Sequence, residues 1–196
     1  MTVDHHTHAE ELVFRALNAG GGPLLDRVAV VLSTRWFGVL VGVAIVAAIW
    51  ALGRERWIPL LIAFGVALAM SDLVGAQVLK PLIGRMRPCF ALPPGSFRWL
   101  APASDVGSLP SLHAANFFAM AVVARACARR LGAAAALVAT AVALSRVYVG
   151  VHWPTDVLAG VVWGGLCGFV ALAISWRIAG RQSGGPTSPS GRESPP

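Results

Sequence analysis

The chain has 196 residues, of which 56% are hydrophobic and only 13% charged, with a mean hydropathy of +0.68. Soluble domains carry about 25% charged residues, so a water-soluble globule and a wholly disordered chain are both excluded. The formal net charge of +7 raises the question of nucleic acid, but the cations sit between long uncharged runs as membrane flanks do, so no nucleic-acid partner is expected.

The first eleven residues are acidic and histidine-containing and lack a basic stretch, which argues against a cleaved signal peptide. His5, His6 and His8 are read as part of a mobile polar tail rather than as metal ligands. Between Ala9 and Thr34 the run Gly20-Gly21-Gly22-Pro23 breaks the pattern. Two short amphipathic helices at the membrane interface are predicted there, making residues 1–34 an interfacial segment, with a broken sixth span as the alternative.

Five apolar runs follow, each near the length of about 20 residues that a helix needs to cross hydrocarbon. They are Trp36 to Gly53, Trp57 to Leu79 with Asp72 inside, Ser111 to Ala124 with its flanks, Leu131 to Ser145, and Val157 to Trp176. Tryptophans 36, 57, 153 and 176 mark their ends, as aromatic belts do. Asp72, at membrane depth, is read as making a structural hydrogen bond. Gly160, Gly164, Gly165 and Gly168 permit close helix packing, within the chain or in a homodimer. The fold class is therefore an all-α polytopic membrane helical bundle of about five or six transmembrane helices. Its transmembrane domain covers 35–178, and a Gly-, Ser- and Pro-rich tail over 179–196 is expected to be disordered. Cys89, Cys127 and Cys167 form no CxxC pair and imply neither a disulfide framework nor a zinc site.

Five spans place Arg54, Arg56, Arg125, Arg129, Arg130, Arg177 and Arg181 on one face, the cytoplasmic one by the positive-inside rule. The opposite face receives three polar clusters: Lys80 to Pro88, Pro110 to His113, and Ser145 to Asp156. Cations next to hydrocarbon need a counterpart, and an anion supplies it. Lys80 offers a point charge, Arg87 and Arg146 offer planar forks suited to phosphate oxygens, and Ser111 opens a helix whose N-terminal N–H groups favour phosphate. Asp156 follows His152 by one helical turn and can fix its tautomer, leaving the other ring nitrogen free to attack phosphorus. His113 then serves as the general acid. Arg85 is read as touching phosphate or lipid.

In this pattern the sequence resembles the type 2 phosphatidic acid phosphatases, which share their site with vanadium haloperoxidases. The first family signature, K-x6-R-P, matches Lys80 to Pro88, and the third, S-R-x5-H-x3-D, matches Ser145 to Asp156. The second, P-S-G-H, reads Pro110-Ser111-Leu112-His113, with leucine in place of glycine. The resemblance implies a metal-independent lipid phosphatase without a cofactor, working through a phosphohistidine on His152. His113 would be acid and base, Asp156 the orienter, and Lys80, Arg87, Ser111, the Leu112 N–H and Arg146 the phosphate holders. It also implies a site on the outer face of the bacterial cytoplasmic membrane, with undecaprenyl diphosphate the first substrate and phosphatidic acid, phosphatidylglycerol phosphate or lipid A phosphate as alternatives. A non-catalytic lipid-phosphate binder or transporter is the competing class.

Overall fold

A computed structural model describes residues 6–104 and 107–183. Positions 1–5, including His5, and the expected tail from 184 onward lie outside the described residues. Among the described residues the regular structure is helical throughout, as the composition predicted.

Helix α1 spans His8–Asn18, and the Thr7 side chain caps it by accepting from the Glu10 N–H at 3.2 Å. Gly22, at φ 90°, turns the chain into α2 (Pro23–Leu32), whose first residue is a proline. Both helices are too short to cross a bilayer. The Asn18 amide, 2% exposed, ties them down by donating to the carbonyls of Arg98 at 2.8 Å and Tyr148 at 2.7 Å. His6 is not loose either: its ring stacks on Trp153, with centroids 4.4 Å apart, and pairs with Glu11.

Helix α3 (Arg35–Leu52) is capped by Thr34 and lies at the edge of the bundle. After a single 3-10 turn, α4 (Trp57–Ala69) continues through a wide π-helical stretch, Met70–Leu79, into α5 (Lys80–Ile83), giving one long helical path across the membrane. A short turn, α6 (Pro88–Ala91), lies in the long loop. Helices α7 (Leu112–Cys127), α8 (Arg129–Tyr148) and α9 (Pro154–Ser183) complete the bundle, α9 running beyond the boundary expected at 178. Four helical paths, Arg35–Leu52, Arg54–Ile83, Arg129–Tyr148 and Pro154–Gly180, are long and apolar enough to cross a membrane.

The fifth apolar helix, α7, has 16 residues and a length of roughly 24 Å. It is the axis of the bundle, packed mainly against α8 and α9 and also against α4. Buried alanines at 114, 115, 119, 121 and 124 let those neighbours approach closely. Large apolar side chains such as Trp36, Leu40, Leu137, Val162 and Phe169 point outward, as hydrocarbon solvent permits.

On α9, Gly160, Gly164 and Gly168 face α7, so these glycines are used within the chain. A Cβ at Gly164 would run into the main-chain carbonyl of Ala115, whereas a Cβ at Gly165 would meet nothing within 4 Å. Gly164→Ala is expected to lower the unfolding midpoint in detergent, with an overpacking cost of about 1–3 kcal/mol. Gly165→Ala should leave the midpoint unchanged.

Candidate active site

The three polar clusters converge because each lies where a helix begins or ends on the same side of the bundle. Gly84, at φ 58°, ends α5 in the left-handed conformation that glycine favours and turns the chain from Lys80 toward Arg85 and Arg87. Ser111 occupies the N-cap of α7, Arg146 lies in the last turn of α8, and Asp156 lies in the first turn of α9. The Ser111 N–H donates to the Asp156 carbonyl at 2.9 Å, which locks the starts of α7 and α9 together.

Lys80, Arg87, Arg146 and His152 are all buried, and with the half-buried His113 they line one cavity of about 1420 Å³. Each cation is held by a main-chain carbonyl from a different loop. Lys80 Nζ donates to Gly107 O at 2.5 Å, an Arg87 NH1 proton goes to Val151 O at 3.0 Å, and Arg146 NH1 donates to Ser33 O at 3.0 Å. Ser33 is the C-cap of α2, and its hydroxyl lies 3.0 Å from that of Ser145. Among the described residues neither Lys80 nor Arg146 has an acidic partner at ion-pair distance. Arg146 Nε and Ser111 Oγ are buried without a hydrogen-bond partner.

His152 sits between a cation and a carboxylate. Its Nε2 is 3.0 Å from Arg87 NH1, and its Nδ1 is 3.3 Å from Asp156 Oδ2. A guanidinium only donates, so Nε2 is the acceptor and Nδ1 carries the proton facing Asp156. Burial, together with the charges of Arg87, Arg146 and Lys80, holds the His152 imidazole well below its usual pKa. The ring is therefore neutral at neutral pH, with its lone pair on Nε2.

Two features run against the sequence reading or extend it. Arg85 is 4% exposed and is not among the residues that line the cavity. It pairs with Asp156 Oδ1 at 2.8 Å, with Thr155 Oγ1 at 2.6 Å, and with Glu10 of α1. Glu10 and Ser33 were not legible as site residues, because both lie far away in the sequence and belong to no motif. Their one signal is a carboxylate and a hydroxyl placed at the ends of α1 and α2.

Leu112, where the family signature has glycine, packs over Gly75 in the π-helical stretch; a Cβ at that glycine would strike Leu112 Cδ2. In this position the leucine side chain occupies the space that a side chain at residue 75 would enter. Asp72 makes the hydrogen bond expected of it, accepting from Asn116 Nδ2 at 3.0 Å, while Ser71 Oγ donates to Asn116 Oδ1 at 2.7 Å. From the cation cluster the cavity runs on as an apolar cleft past Gly38, Gly42, Val46, Leu68, Phe117 and Met120.

The family is identified by comparison with known proteins. The PAP2 superfamily matches residues 60–179. Over 174 residues, 87% of this chain and 84% of the relative, the sequence is 32% identical to the Escherichia coli K12 protein named "Putative undecaprenyl-diphosphatase YbjG". It is 29% identical over 125 residues to a lipid A 4'-phosphatase of Bacteroides thetaiotaomicron, covering 61% of this chain and 56% of that one. Among solved structures, the PAP2-type phosphatidylglycerolphosphate phosphatase of Bacillus subtilis superposes with a TM-score of 0.67 at 27% identity, over 88% of this chain and 89% of that one. The chain belongs to the PAP2 superfamily and is a membrane phosphatase.

Helices α1 and α2 are held to the site by carboxylates whose ionised form is favoured. Hydrogen bonds from Arg98 and Tyr148 hold the Asp26 carboxyl below the usual range. Burial pushes Glu10 up, but hydrogen bonds from Thr155 and Arg85 outweigh it and leave Glu10 below its usual value. Groups lowered on folding stabilise the fold above their unfolded pKa values, about 3.9 for Asp and 4.3 for Glu, and that contribution is lost as pH falls through the folded values. Thermal stability in detergent should therefore fall as the pH drops below about 4. Asp26→Asn should flatten that acid limb.

Proposed function

We propose that this phosphatase hydrolyses the phosphate of a membrane lipid phosphate or diphosphate through a phosphohistidine, with a polyprenyl diphosphate such as undecaprenyl diphosphate as substrate. His152 Nε2 attacks the terminal phosphorus, forming a P–N bond as the P–O bond to the leaving group breaks. The leaving group is the lipid alcohol for a monophosphate and the lipid monophosphate for a diphosphate. His113 gives its proton to that leaving oxygen. It then takes a proton from water, whose oxygen attacks phosphorus, releases inorganic phosphate and frees His152. Lys80, Arg87, Arg146, the Ser111 hydroxyl and the Leu112 N–H surround the phosphoryl oxygens and stabilise the charge that spreads over them. Asp156 faces Nδ1–H and balances the positive charge that the ring gains on phosphorylation. No metal takes part in this scheme.

The observation that carries the proposal is that His152 lines the cavity with its Nε2 held as an acceptor by Arg87 and its Nδ1 facing Asp156. The orphaned Arg146 Nε and Ser111 Oγ are groups that a phosphate would satisfy. The apolar cleft beside the cluster supports a hydrocarbon-bearing substrate, and the name of the Escherichia coli relative favours a polyprenyl diphosphate. The Bacteroides thetaiotaomicron and Bacillus subtilis proteins favour lipid A or phosphatidylglycerol phosphate as the second reading. The arginines in the loops opposite the site favour a catalytic face on the outer side of the bacterial inner membrane.

A phosphate-release panel over these lipids, with chelator present, tests substrate and metal independence together. Activity on a polyprenyl diphosphate above the other lipids, undiminished by chelator, is the expected result; dependence on an added divalent metal would overturn the scheme. His152→Ala should bring turnover to background, and His113→Ala should cost about 10²–10⁴ in kcat, the range of a general acid. Equal activity in either variant would remove the assigned role.

Gly42 lies within ordinary contact distance of Met120 and Phe64 across the cleft. Gly42→Leu should raise KM for a long-chain lipid phosphate and leave hydrolysis of a short water-soluble phosphate monoester unchanged.

A further inference from the structure

Behind His152, away from the phosphate side, the charged groups form a continuous chain. Asp156 Oδ2 faces His152 Nδ1 and accepts from the Trp153 N–H at 2.8 Å, while its Oδ1 accepts from Arg85 NH1. Arg85 in turn pairs with Glu10, which also accepts from the Thr155 N–H at 3.1 Å and from the Thr155 hydroxyl. Arg85, Glu10 and Asp156 have side chains no more than 7% exposed, so their interactions are only weakly screened by solvent. Glu10 belongs to α1, 142 positions before His152, and lies outside the family match over residues 60–179.

We propose that Glu10 is a positioning residue for the phosphatase: through Arg85 it sets the orientation and the effective charge of Asp156, and through Asp156 it sets those of the His152 ring. The inference rests on the reading of His152 as the nucleophile. Arg85 lies between two carboxylates. With Glu10 present, its charge is shared, and Asp156 keeps the negative character needed to balance a phosphorylated imidazolium. Without that charge, more of the guanidinium's field falls on Asp156 and draws it away from His152. Rotation of the Asp156 carboxylate toward Arg85 would also break the contact with Nδ1, because the two oxygens are divided between the two partners.

The other groups facing this chain set the direction of the pH effect. His152 also faces the charges of Arg87, Arg146, Lys80 and His113, and Asp156 also faces the Ser108 hydroxyl. His6 stacks on Trp153 but pairs with Glu11 rather than Glu10. Asp156 is therefore the carboxylate at His152, and weakening its field makes the imidazolium easier to deprotonate.

A simple docking role for Glu10 predicts something different. If the Glu10–Arg85 pair only fastened α1 to the start of α9, its loss would lower the unfolding midpoint without changing how catalysis depends on pH. The variants Glu10→Gln and Glu10→Gln/Arg85→Gln separate the two, measured as full-length protein in detergent with the lipid phosphate that gives the highest turnover. Glu10→Gln should lower kcat by about tenfold and leave KM within about twofold, because Glu10 does not line the cavity. It should also move the acid limb of kcat/KM down by about half a pH unit, since a negative charge has been removed near His152. The double variant removes both members of the Glu10–Arg85 pair and leaves Asp156 facing His152 without its guanidinium. Arg85 lies nearer to Asp156 than Glu10 does, so removing both should move the acid limb up instead.

Opposite shifts in the two variants support the relay. If Glu10→Gln does not fold, an upward shift in the double variant supports the Arg85–Asp156–His152 part of the chain, and an unshifted limb overturns the relay. A limb unchanged in both variants, with activity lost only as the unfolding midpoint falls, also overturns it. His152→Ala is the companion control. Turnover by that variant would bring down the nucleophile assignment, whereas an inert His152→Ala beside a Glu10→Gln that matches the unaltered protein would bring down the relay alone.

Discussion

The structure depends on burying cations beside hydrocarbon, two of which, Lys80 and Arg146, have no carboxylate at ion-pair distance among the described residues. An ion taken out of water loses several kcal/mol of solvation, and a buried partner of opposite charge is the usual compensation. Here Lys80 and Arg146 receive main-chain carbonyls, from Gly107 and Ser33, and Arg87 shares a proton with the carbonyl of Val151. Dipoles of this kind hold a cation in place without neutralising it. The charge thus stays available to an anion entering the cavity, and three loops that share no sequence pattern are bound into one wall.

The acidic residues at this end of the bundle are arranged to complement that wall. Glu10 and Asp156 lie in a second layer, joined by Arg85, and Asp156 reaches the cavity only by way of the His152 ring. These two carboxylates thereby lie behind the ring, where the imidazole proton points. Neutral His152 follows from this division, because burial and the cations disfavour a second proton while Asp156 and Arg87 fix the tautomer. Further along the cleft, Asp72 is satisfied by Asn116.

Such a division of charge requires helices that do not slide against one another. Glycines on α9 bring it against the backbone of α7, and the Ser111–Asp156 main-chain bond ties together the ends that carry one histidine and the orienting aspartate. Side-chain packing in lipid gains nothing from excluding water, so close backbone approach does much of the work. Helices α1 and α2 close the same end: Asn18 bonds to the last residue of α8 and to Arg98, and Asp26 bonds to Tyr148 at 2.5 Å.

The sequence by itself determined the solvent, the helical class and the three clusters, because apolar run length and motif spacing are local quantities. Runs between charges gave the spans to within a few residues, although the π-helical stretch at Met70–Leu79 and the extension of α9 to Ser183 left no mark in hydropathy. What the tertiary structure decided was the partnership of each charge. Arg85 looked like another phosphate or lipid contact, yet it belongs to Glu10 and Asp156; Ser33 acts through a carbonyl that carries no side-chain identity at all. The Leu112 side chain occupies the space beside a glycine 37 positions earlier on a neighbouring helical path. The physical reason is the same in each instance: a pairing made across the bundle depends on distance in space, and a single chain without its fold does not contain that distance.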